Sequence, residues 1–234
     1  MKIGLLNAYH FVKGEQTYQT QYSPMAIKYL KSLADDVEVC EYVVAQGEFP
    51  EDMQSCDFWV ITGSPKSAYD NDEWIEKLTQ FICTAHEKKI KLLGICFGHQ
   101  IIAKALGGEV KASNKGWGVG VRKSILKNKK QWMAPELDQF SLLYSHQDQV
   151  SRLPKEAEQL FFSDFCEFEA YQVGDHILSI QGHPEFTKVY ARDRMVSRKS
   201  KLGEKLFYQA RKSLLQETDQ QTIGKWIVNF FSFT

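Results

Sequence analysis

The segment 92–100, LLGICFGHQ, restricts the fold more than any other stretch of the chain. Its apolar start predicts a buried strand, and the apolar spacing after Gly98 predicts a helix. Gly94 and Gly98 flank Cys96 in a G-x-C-x-G pattern at this strand-to-helix turn. Glycine leaves space in a tight turn because it carries no Cβ atom. The segment therefore predicts an elbow that holds a cysteine at the end of a strand.

Short apolar runs alternate with helical patterns over the first half of the chain. We predict strands at 2–6, 37–44, 58–62 and 91–95, and helices at 23–33, 72–89 and 98–106. Ser23 and Pro24 are predicted as the N-cap and the first residue of the first of these helices. The alternation favours an α/β fold, with a mostly parallel central sheet and helices on both faces.

The middle of the chain is typical of successive short strands, which predicts a smaller antiparallel strand region. These strands are expected at 119–125, 140–144, 159–162, 166–173 and 177–181. From residue 187 onward the pattern is helical, most clearly at 202–215 and 222–231. Because the sequence shows no repeat or linker, we interpret 1–234 as one domain that includes a helical C-terminal segment at 187–234.

Charge and apolar content exclude several classes of protein. Lys plus Arg and Asp plus Glu both number 29, so the chain has no basic nucleic-acid footprint. No apolar run is long enough to span a bilayer, and the first residues do not have the pattern of a signal peptide. We therefore expect a cytoplasmic protein without membrane or nucleic-acid partners. The five cysteines show no zinc-site spacing, so no metal site is predicted.

The elbow gives Cys96 the surroundings of a nucleophile. The helix that follows directs its N-terminus at the sulfur, and the dipole of that helix favours a thiolate. The backbone N–H of Phe97 is expected to point to where an oxyanion would form. An inert, packed cysteine is the alternative, and the strand–elbow–helix context argues against it.

A cysteine nucleophile needs a base, and His183 is the strongest candidate among six histidines. It lies in the segment QGHPEF, just beyond an apolar run, with Glu185 two residues later. A short rigid H-P-E segment can hold a carboxylate against the imidazole, as the third member of a triad does. His99 is too close to Cys96 along the helix and is expected to support the elbow.

The motifs GICFGHQ around Cys96 and GHPE around His183 together resemble those of the class I, or triad, glutamine amidotransferases. The likeness is strongest to the glutaminase domain of GMP synthase and its stand-alone relatives. This resemblance implies hydrolysis of the glutamine side-chain amide through a γ-glutamyl thioester. Cys96 would attack the carbonyl, His183 would protonate the ammonia that leaves, and Glu185 would orient His183. No metal or organic cofactor is implied.

The resemblance also implies an oxyanion hole and substrate contacts. Gly63 and Ser64 match the loop that supplies a second oxyanion N–H beside that of Phe97, with Ser64 where relatives more often have glycine. Gln100 matches the glutamine that binds the amino-acid end of the substrate. The segment 145–148 matches S-H-G-D, with Gln147 replacing glycine, and its backbone is expected to hold the substrate. The substrate-binding residues implied are Gln100, Ser145, His146 and Gln147.

Several alternatives stay open from the sequence. The γ-glutamyl peptidases share GICFGHQ and would cut the γ-glutamyl bond of glutathione-like peptides with the same triad. A catalytically silent binding subunit is another alternative. The chaperone and stress-protease superfamily also has an elbow cysteine. The H-P-E pair makes this superfamily a poor fit.

The partners of the chain also stay open. Ammonia could pass to a separate synthetase subunit, because the chain has no P-loop motif of its own. The basic residues Arg192, Arg194, Arg198 and Lys199 resemble a solvated helix face or a partner surface. The aromatic residues of the tail are expected to pack on the sheet or on a second copy in a homo-oligomer.

Overall fold

The computed structural model describes residues 1–9 and 16–232. Its strands are β1 (Lys2–Leu6), β2 (Glu38–Tyr42), β3 (Phe58–Ile61), β4 (Leu92–Ile95), β5 (Glu109–Ala112), β6 (Gly118–Leu126), β7 (Gln139–His146), β8 (Asp148–Arg152), β9 (Ala157–Phe162), β10 (Ala170–Val173) and β11 (Ile177–Ile180). Its α-helices are α1 (Gln16–Lys31), α2 (Glu73–Glu87), α3 (Phe97–Ala105), α4 (Lys188–Ser197), α5 (Lys199–Leu202), α6 (Glu204–Ser213) and α7 (Gln220–Ser232).

Within these described ranges, nine strands form one sheet in the order β2-β1-β3-β4-β11-β10-β9-β6-β7. The pairings from β2 to β11 are parallel, and those from β11 to β7 are antiparallel. The predicted α/β class, with a parallel sheet and an antiparallel region, is confirmed. The antiparallel strands extend the main sheet, while β5 and β8, which the sequence pattern does not predict, form a small separate sheet.

The central parallel strands β3 and β4 are covered on both faces, which explains why their sequences are continuous apolar runs. On one face, Leu30 of α1 and Ile227 of α7 pack against strand residues such as Leu5. On the other face, Leu78 of α2 and Ile102 of α3 are fully buried in a second core cluster. Apolar side chains of these helices therefore cover both faces of the parallel strands.

The predicted start of the first helix is wrong. Helix α1 begins at Gln16 and contains Pro24 in its interior, although proline removes one helical hydrogen bond there. Tyr22, Ala26 and Leu30 follow one another at helical spacing and are buried. Their burial keeps the helix continuous through the proline. Ser23, predicted as the N-cap, instead donates its hydroxyl to Glu41 Oε1 at 2.6 Å.

The tail is helical, but the long helix predicted at 202–215 is interrupted. Gly203 has φ +74°, which separates α5 from α6. The aromatic residues Trp226, Phe230 and Phe231 pack into the main core, and the Phe231 ring stacks on Phe58 at 4.4 Å between centroids. Tyr208 is 57% exposed. No helix of the described residues is long and apolar enough to cross a bilayer.

Two sequence expectations extend beyond the described part of the chain. The single domain at 1–234 includes residues 10–15, and the helical segment at 187–234 includes 233 and 234, which lie outside the described residues. His10, one of the six histidines considered as a base, also lies outside them. The single-domain interpretation stays a prediction.

Candidate active site

Cys96 stands on a sharp turn between β4 and α3, as the elbow pattern predicts. Its backbone has φ +55° and ψ −100°, a conformation that residues with a side chain rarely adopt. Such strain costs on the order of 1–3 kcal/mol and persists only where the surroundings enforce it. The turn is held because the Cys96 N–H donates to Ile180 O at 3.0 Å.

The two glycines of the elbow are required by close backbone approach. A Cβ atom on Gly98 would lie 2.2 Å from Ile61 O, and one on Gly94 would lie 2.8 Å from the backbone of Gly98. The Gly98 N–H donates to Thr62 O at 3.0 Å, so α3 begins directly beside the end of β3. The space-saving role that the sequence predicts for both glycines is confirmed.

The parallel arrangement brings four chain segments to one edge of the sheet. The loop after β3 carries Gly63, β4 leads into Cys96, and β11 leads into His183. Strand β7 passes beside His183, because the His183 N–H donates to Leu143 O at 2.8 Å. Carboxyl ends of parallel strands are where α/β proteins usually bind ligands.

Cys96, His183 and Glu185 lie next to one another at this edge, and all three are buried. His183 Nδ1 is 2.7 Å from Glu185 Oε1, and the imidazole also interacts with the Cys96 side chain. Any side chain at position 63 would crowd them, since a Cβ atom on Gly63 would lie 3.0 Å from His183 Cε1. The Phe186 ring stacks on the imidazole at 3.7 Å between centroids, which fixes its plane.

The surroundings of His183 decide its charge. Burial by itself lowers the pKa of His183, but the negative charge of Glu185 and the neighbouring Cys96 outweigh burial and raise the pKa well above its ordinary value. The imidazole is therefore held in its protonated form at neutral pH. A buried imidazolium beside a sulfur favours the thiolate of that sulfur.

Tyr22 is a component of the site that the sequence does not reveal. Its hydroxyl donates to Glu185 Oε1 at 3.1 Å and accepts the Gly63 N–H at 3.2 Å. Tyr22 thereby links α1 to both the carboxylate and the glycine loop. Its only sequence signal is its place on the apolar stripe of a helix, which a packed residue would share.

The predicted oxyanion donors are near Cys96 but differ in availability. The Gly63 N–H is directed at the Tyr22 hydroxyl, which favours Ser64 over Gly63 as the partner of Phe97. Ser64 and Phe97 both line a cavity that contains Cys96. Phe97 is the first residue of α3, where backbone N–H groups have no partner within the helix.

The residues predicted to contact substrate lie along the same cavity, which has a volume of about 300 Å³. Gln100 is buried, and its Nε2 donates to Asp148 O at 2.8 Å and to Gln181 Oε1 at 3.1 Å. The Gln147 carbonyl accepts the Ser113 N–H at 2.9 Å. These hydrogen bonds hold the Gln100 side chain and the Gln147 backbone in place in the cavity wall.

His146 and Ser145, the other two predicted contacts, end strand β7 and do not form a plain turn. Burial lowers the pKa of His146 to about 4, so its imidazole is neutral at pH 7. Its Nδ1 is 2.9 Å from Asp148 O. The hydroxyl of Ser145 accepts a hydrogen bond from Arg198 Nη1 at 2.9 Å.

The basic run of the tail is not a solvated face throughout. Arg194 is 3% exposed and, with Arg198, lines a narrow cleft beside Cys96 and His183. Arg198 and Lys201 also line the 300 Å³ cavity. The expectation of solvation is wrong for Arg194 because α4 packs against α1 and β7. The spacing of the arginines along the helix does not show which of them is buried by packing against other helices and strands.

His99, His86 and His176 lie away from His183 and contact residues that support the fold. His99 is fully buried, its Nδ1 is 2.8 Å from Ser179 Oγ, and burial lowers its pKa to about 3. His86 Nδ1 and His176 Nε2 are 3.0 Å apart at the opposite edge of the sheet. Among residues 1–9 and 16–232, no group of His, Cys, Asp and Glu is arranged to hold a metal ion.

Comparison with known proteins gives one family. The family model described as glutamine amidotransferase class-I matches residues 17–201. Gamma-glutamyl peptidase 3 of Arabidopsis thaliana is 38% identical over 153 residues, which are 62% of this chain and 61% of that protein. The glutamine-hydrolyzing GMP synthase of Borrelia garinii subsp. bavariensis is 29% identical over 171 residues, covering 73% of this chain and 31% of that protein. The chain thus spans less than two thirds of the length of these curated relatives.

A solved structure has the same fold. The crystal structure of a glutamine amidotransferase from Thermotoga maritima superposes with a TM-score of 0.73 and 19% sequence identity. The superposition covers 99% of this chain and 96% of that chain. At this level of identity, the likeness concerns the fold alone.

Proposed function

Since the chain belongs to the class-I glutamine amidotransferase family, we propose that it hydrolyses the amide bond of a γ-glutamyl compound through the thiol of Cys96. The observation that carries the proposal is the contact of Cys96 with a buried His183–Glu185 pair. A strained elbow at a helix N-terminus and a protonated imidazole are the surroundings that activate a cysteine.

The proposed reaction begins when the Cys96 thiolate attacks the γ-carbonyl carbon of the substrate. The negative charge that develops on the carbonyl oxygen is stabilised by the N–H groups of Phe97 and Ser64. His183 then gives its proton to the leaving nitrogen, and a γ-glutamyl thioester remains on Cys96. Water, deprotonated by His183, then attacks the thioester, which releases glutamate and restores the Cys96 thiolate beside the imidazolium. Glu185 keeps the imidazole oriented and stabilises its positive charge throughout.

Glutamine is the first candidate substrate, with ammonia as the leaving group. In that case a separate synthetase would be the acceptor of the ammonia. The similarity to a GMP synthase, of which the matched region covers 31%, supports such a partner. A partner that accepts ammonia predicts that its presence increases the rate of glutamine hydrolysis.

A γ-glutamyl peptide is the second candidate substrate. The identity of 38% to a γ-glutamyl peptidase favours it. Two cationic side chains, Arg198 and Lys201, line the cavity beside Cys96, and guanidinium groups suit the carboxylate of a peptide. The α-carboxylate of the γ-glutamyl group is common to both candidate substrates, and a peptide adds a second carboxylate that this cationic wall can bind.

The test is a measurement of kcat/KM for glutamine and for glutathione with the purified protein. We expect hydrolysis of at least one of them, with the preferred compound identifying the leaving group. Cys96→Ala should reduce the rate by at least about 10⁴-fold, in line with loss of a nucleophile. Cys166→Ala, which removes a cysteine buried elsewhere, is the matched control and should keep the activity. Full activity in the Cys96→Ala variant would refute the proposal.

A further inference from the structure

The turn at 182–186 presents His183 and Glu185 to Cys96 on one side and contacts helix α7 on its other side. At the first residue of α7, the amide Nε2 of Gln220 donates to Pro184 O at 2.8 Å. The same nitrogen also donates to Phe186 O in a short hydrogen bond. The two carbonyls that Gln220 binds are those immediately before and after Glu185.

Gln220 is itself held in place by its neighbours. The Thr218 hydroxyl donates to Gln220 Oε1 at 3.2 Å, which directs the amide nitrogen toward the turn. Asp219 is bound to β7, because its N–H donates to Ser141 O at 2.8 Å and its Oδ2 accepts the Ser141 N–H at 2.7 Å. Trp226 and Ile227, further along α7, are buried in the main core. The amide is thus supported from a rigid element.

We infer that Gln220 is a positioning residue, which holds the backbone on both sides of Glu185 so that the carboxylate meets His183. The inference rests on the proposed function, since it concerns the residues assigned there as catalytic. Pro184 has no N–H and cannot stabilise the turn by donating a hydrogen bond. Two donors from one side chain therefore supply what the turn lacks, and displacement of about 1 Å at a catalytic group can cost about 10²-fold in rate.

The position suits a substitution test because it lies beside a groove and not within the core. A groove of about 900 Å³ is lined by Gln220 together with Tyr29, Glu185 and Lys188. Gln220 is only partly buried, so a side chain of similar size can be accommodated there. Gln221, the next residue, also lines the groove and is exposed, which makes it a matched control.

The first experiment compares Gln220→Met, Gln220→Glu and Gln221→Met in steady-state kinetics. Methionine keeps the length of the side chain without the donors, and glutamate places an oxygen opposite two carbonyl oxygens. We expect kcat to fall about tenfold for Gln220→Met and about 10²-fold for Gln220→Glu, with KM changed by less than about threefold. Gln221→Met should match the unsubstituted chain. Equal kcat in all folded variants would overturn the inference.

The second experiment does not depend on turnover. The rate of Cys96 alkylation by iodoacetamide is measured against pH, with mass spectrometry to identify the labelled cysteine. Loss of alignment between Glu185 and His183 weakens the imidazolium beside Cys96, so the midpoint should move to higher pH in Gln220→Met, a substitution that adds no charge of its own. An unchanged midpoint would overturn the inference.

The two experiments separate the inference from the proposed function. If the unsubstituted chain hydrolyses neither glutamine nor glutathione, the proposed function fails while alkylation still tests Gln220. If Gln220→Glu does not fold, as judged by circular dichroism, Gln220→Met decides. A general loss of stability would lower the amount of active protein without moving the alkylation midpoint, and that outcome also contradicts a positioning role.

Discussion

Two regions of this molecule each bury a cysteine close to a glutamate, with opposite chemical consequences. At the carboxyl edge of the parallel strands, Cys96 and Glu185 contact the imidazole of His183 from either side. In the loop between β9 and β10, Cys166 and Glu169 are both fully buried without a histidine between them. The cysteine and the carboxylate are the same in both regions, and the imidazole is the difference.

Without the histidine, burial favours the uncharged form of both groups. Burial raises the pKa of the Cys166 thiol well above its ordinary value, and the nearby Glu169 raises it further. Burial also raises the pKa of Glu169 to about 7, partly offset by hydrogen bonds from Ser163 and Tyr144. The Ser163 hydroxyl donates to Glu169 Oε1 at 2.6 Å. This second region is therefore a structural cluster with an inert thiol.

In the first region, the partners of His183 keep its imidazole charged although it is buried. The pKa of His183 is raised despite burial, because Glu185 and Cys96 interact with the protonated ring. The carboxylate of Glu185 also accepts a hydrogen bond from Tyr22. The two buried cysteines therefore differ in their immediate partner, which is the His183 imidazole for Cys96 and the Glu169 carboxyl group for Cys166.

The largest expected effect comes from removing the charge that distinguishes the first region. Glu185→Gln should lower kcat/KM by about 10³- to 10⁴-fold, as loss of the carboxylate in a triad does. The amide cannot stabilise the imidazolium, and it can bind the wrong tautomer of His183. The measurement is kcat/KM on the better of the two candidate substrates. A loss smaller than about tenfold would mean that Glu185 contributes little to the state of His183.

In the second region, we expect a substitution of Glu169 to change the stability of the fold and not the catalytic rate. Folded Glu169 holds its proton up to about pH 7, whereas the unfolded chain releases it near 4.5. The native state therefore binds more protons in this window, and stability falls as the pH rises from about 4.5 through 7. Glu169→Gln should remove this fall, which is on the order of 3 kcal/mol. Urea unfolding at pH 5 and pH 8 measures it, and parallel pH dependence in both proteins would contradict it.

The smallest expected effect concerns the hydroxyl that supports the first region. Tyr22→Phe removes the hydrogen bonds to Glu185 and to the Gly63 N–H, each worth about 1 kcal/mol. We expect kcat to fall by about three- to tenfold with the fold retained. Tyr208→Phe, on an exposed tyrosine, is the matched control. An unaffected kcat would show that His183 and Glu185 are aligned without Tyr22.

Local sequence was sufficient for the elbow and most elements of the fold. The elbow pattern at 92–100 specifies its own geometry, because Gly94 and Gly98 meet backbone atoms at 2.8 and 2.2 Å. Strands β1, β3, β4 and β11 are short and mostly apolar, so their approximate positions could be predicted. Strands β5 and β8 are short and rich in polar residues, which leaves no apolar pattern to detect.

The sequence by itself determined the residue types that we propose as catalytic: a cysteine between glycines, and a histidine two residues before a glutamate. Only the tertiary structure decided what surrounds them, including Tyr22 on the Glu185 carboxylate, Gln220 behind the turn, and Arg194 in the cleft. The physical reason is that motif residues act through backbone geometry set within a few positions. Supporting contacts join residues far apart in the chain, such as 22 and 185, and no local pattern encodes which distant side chain will meet them.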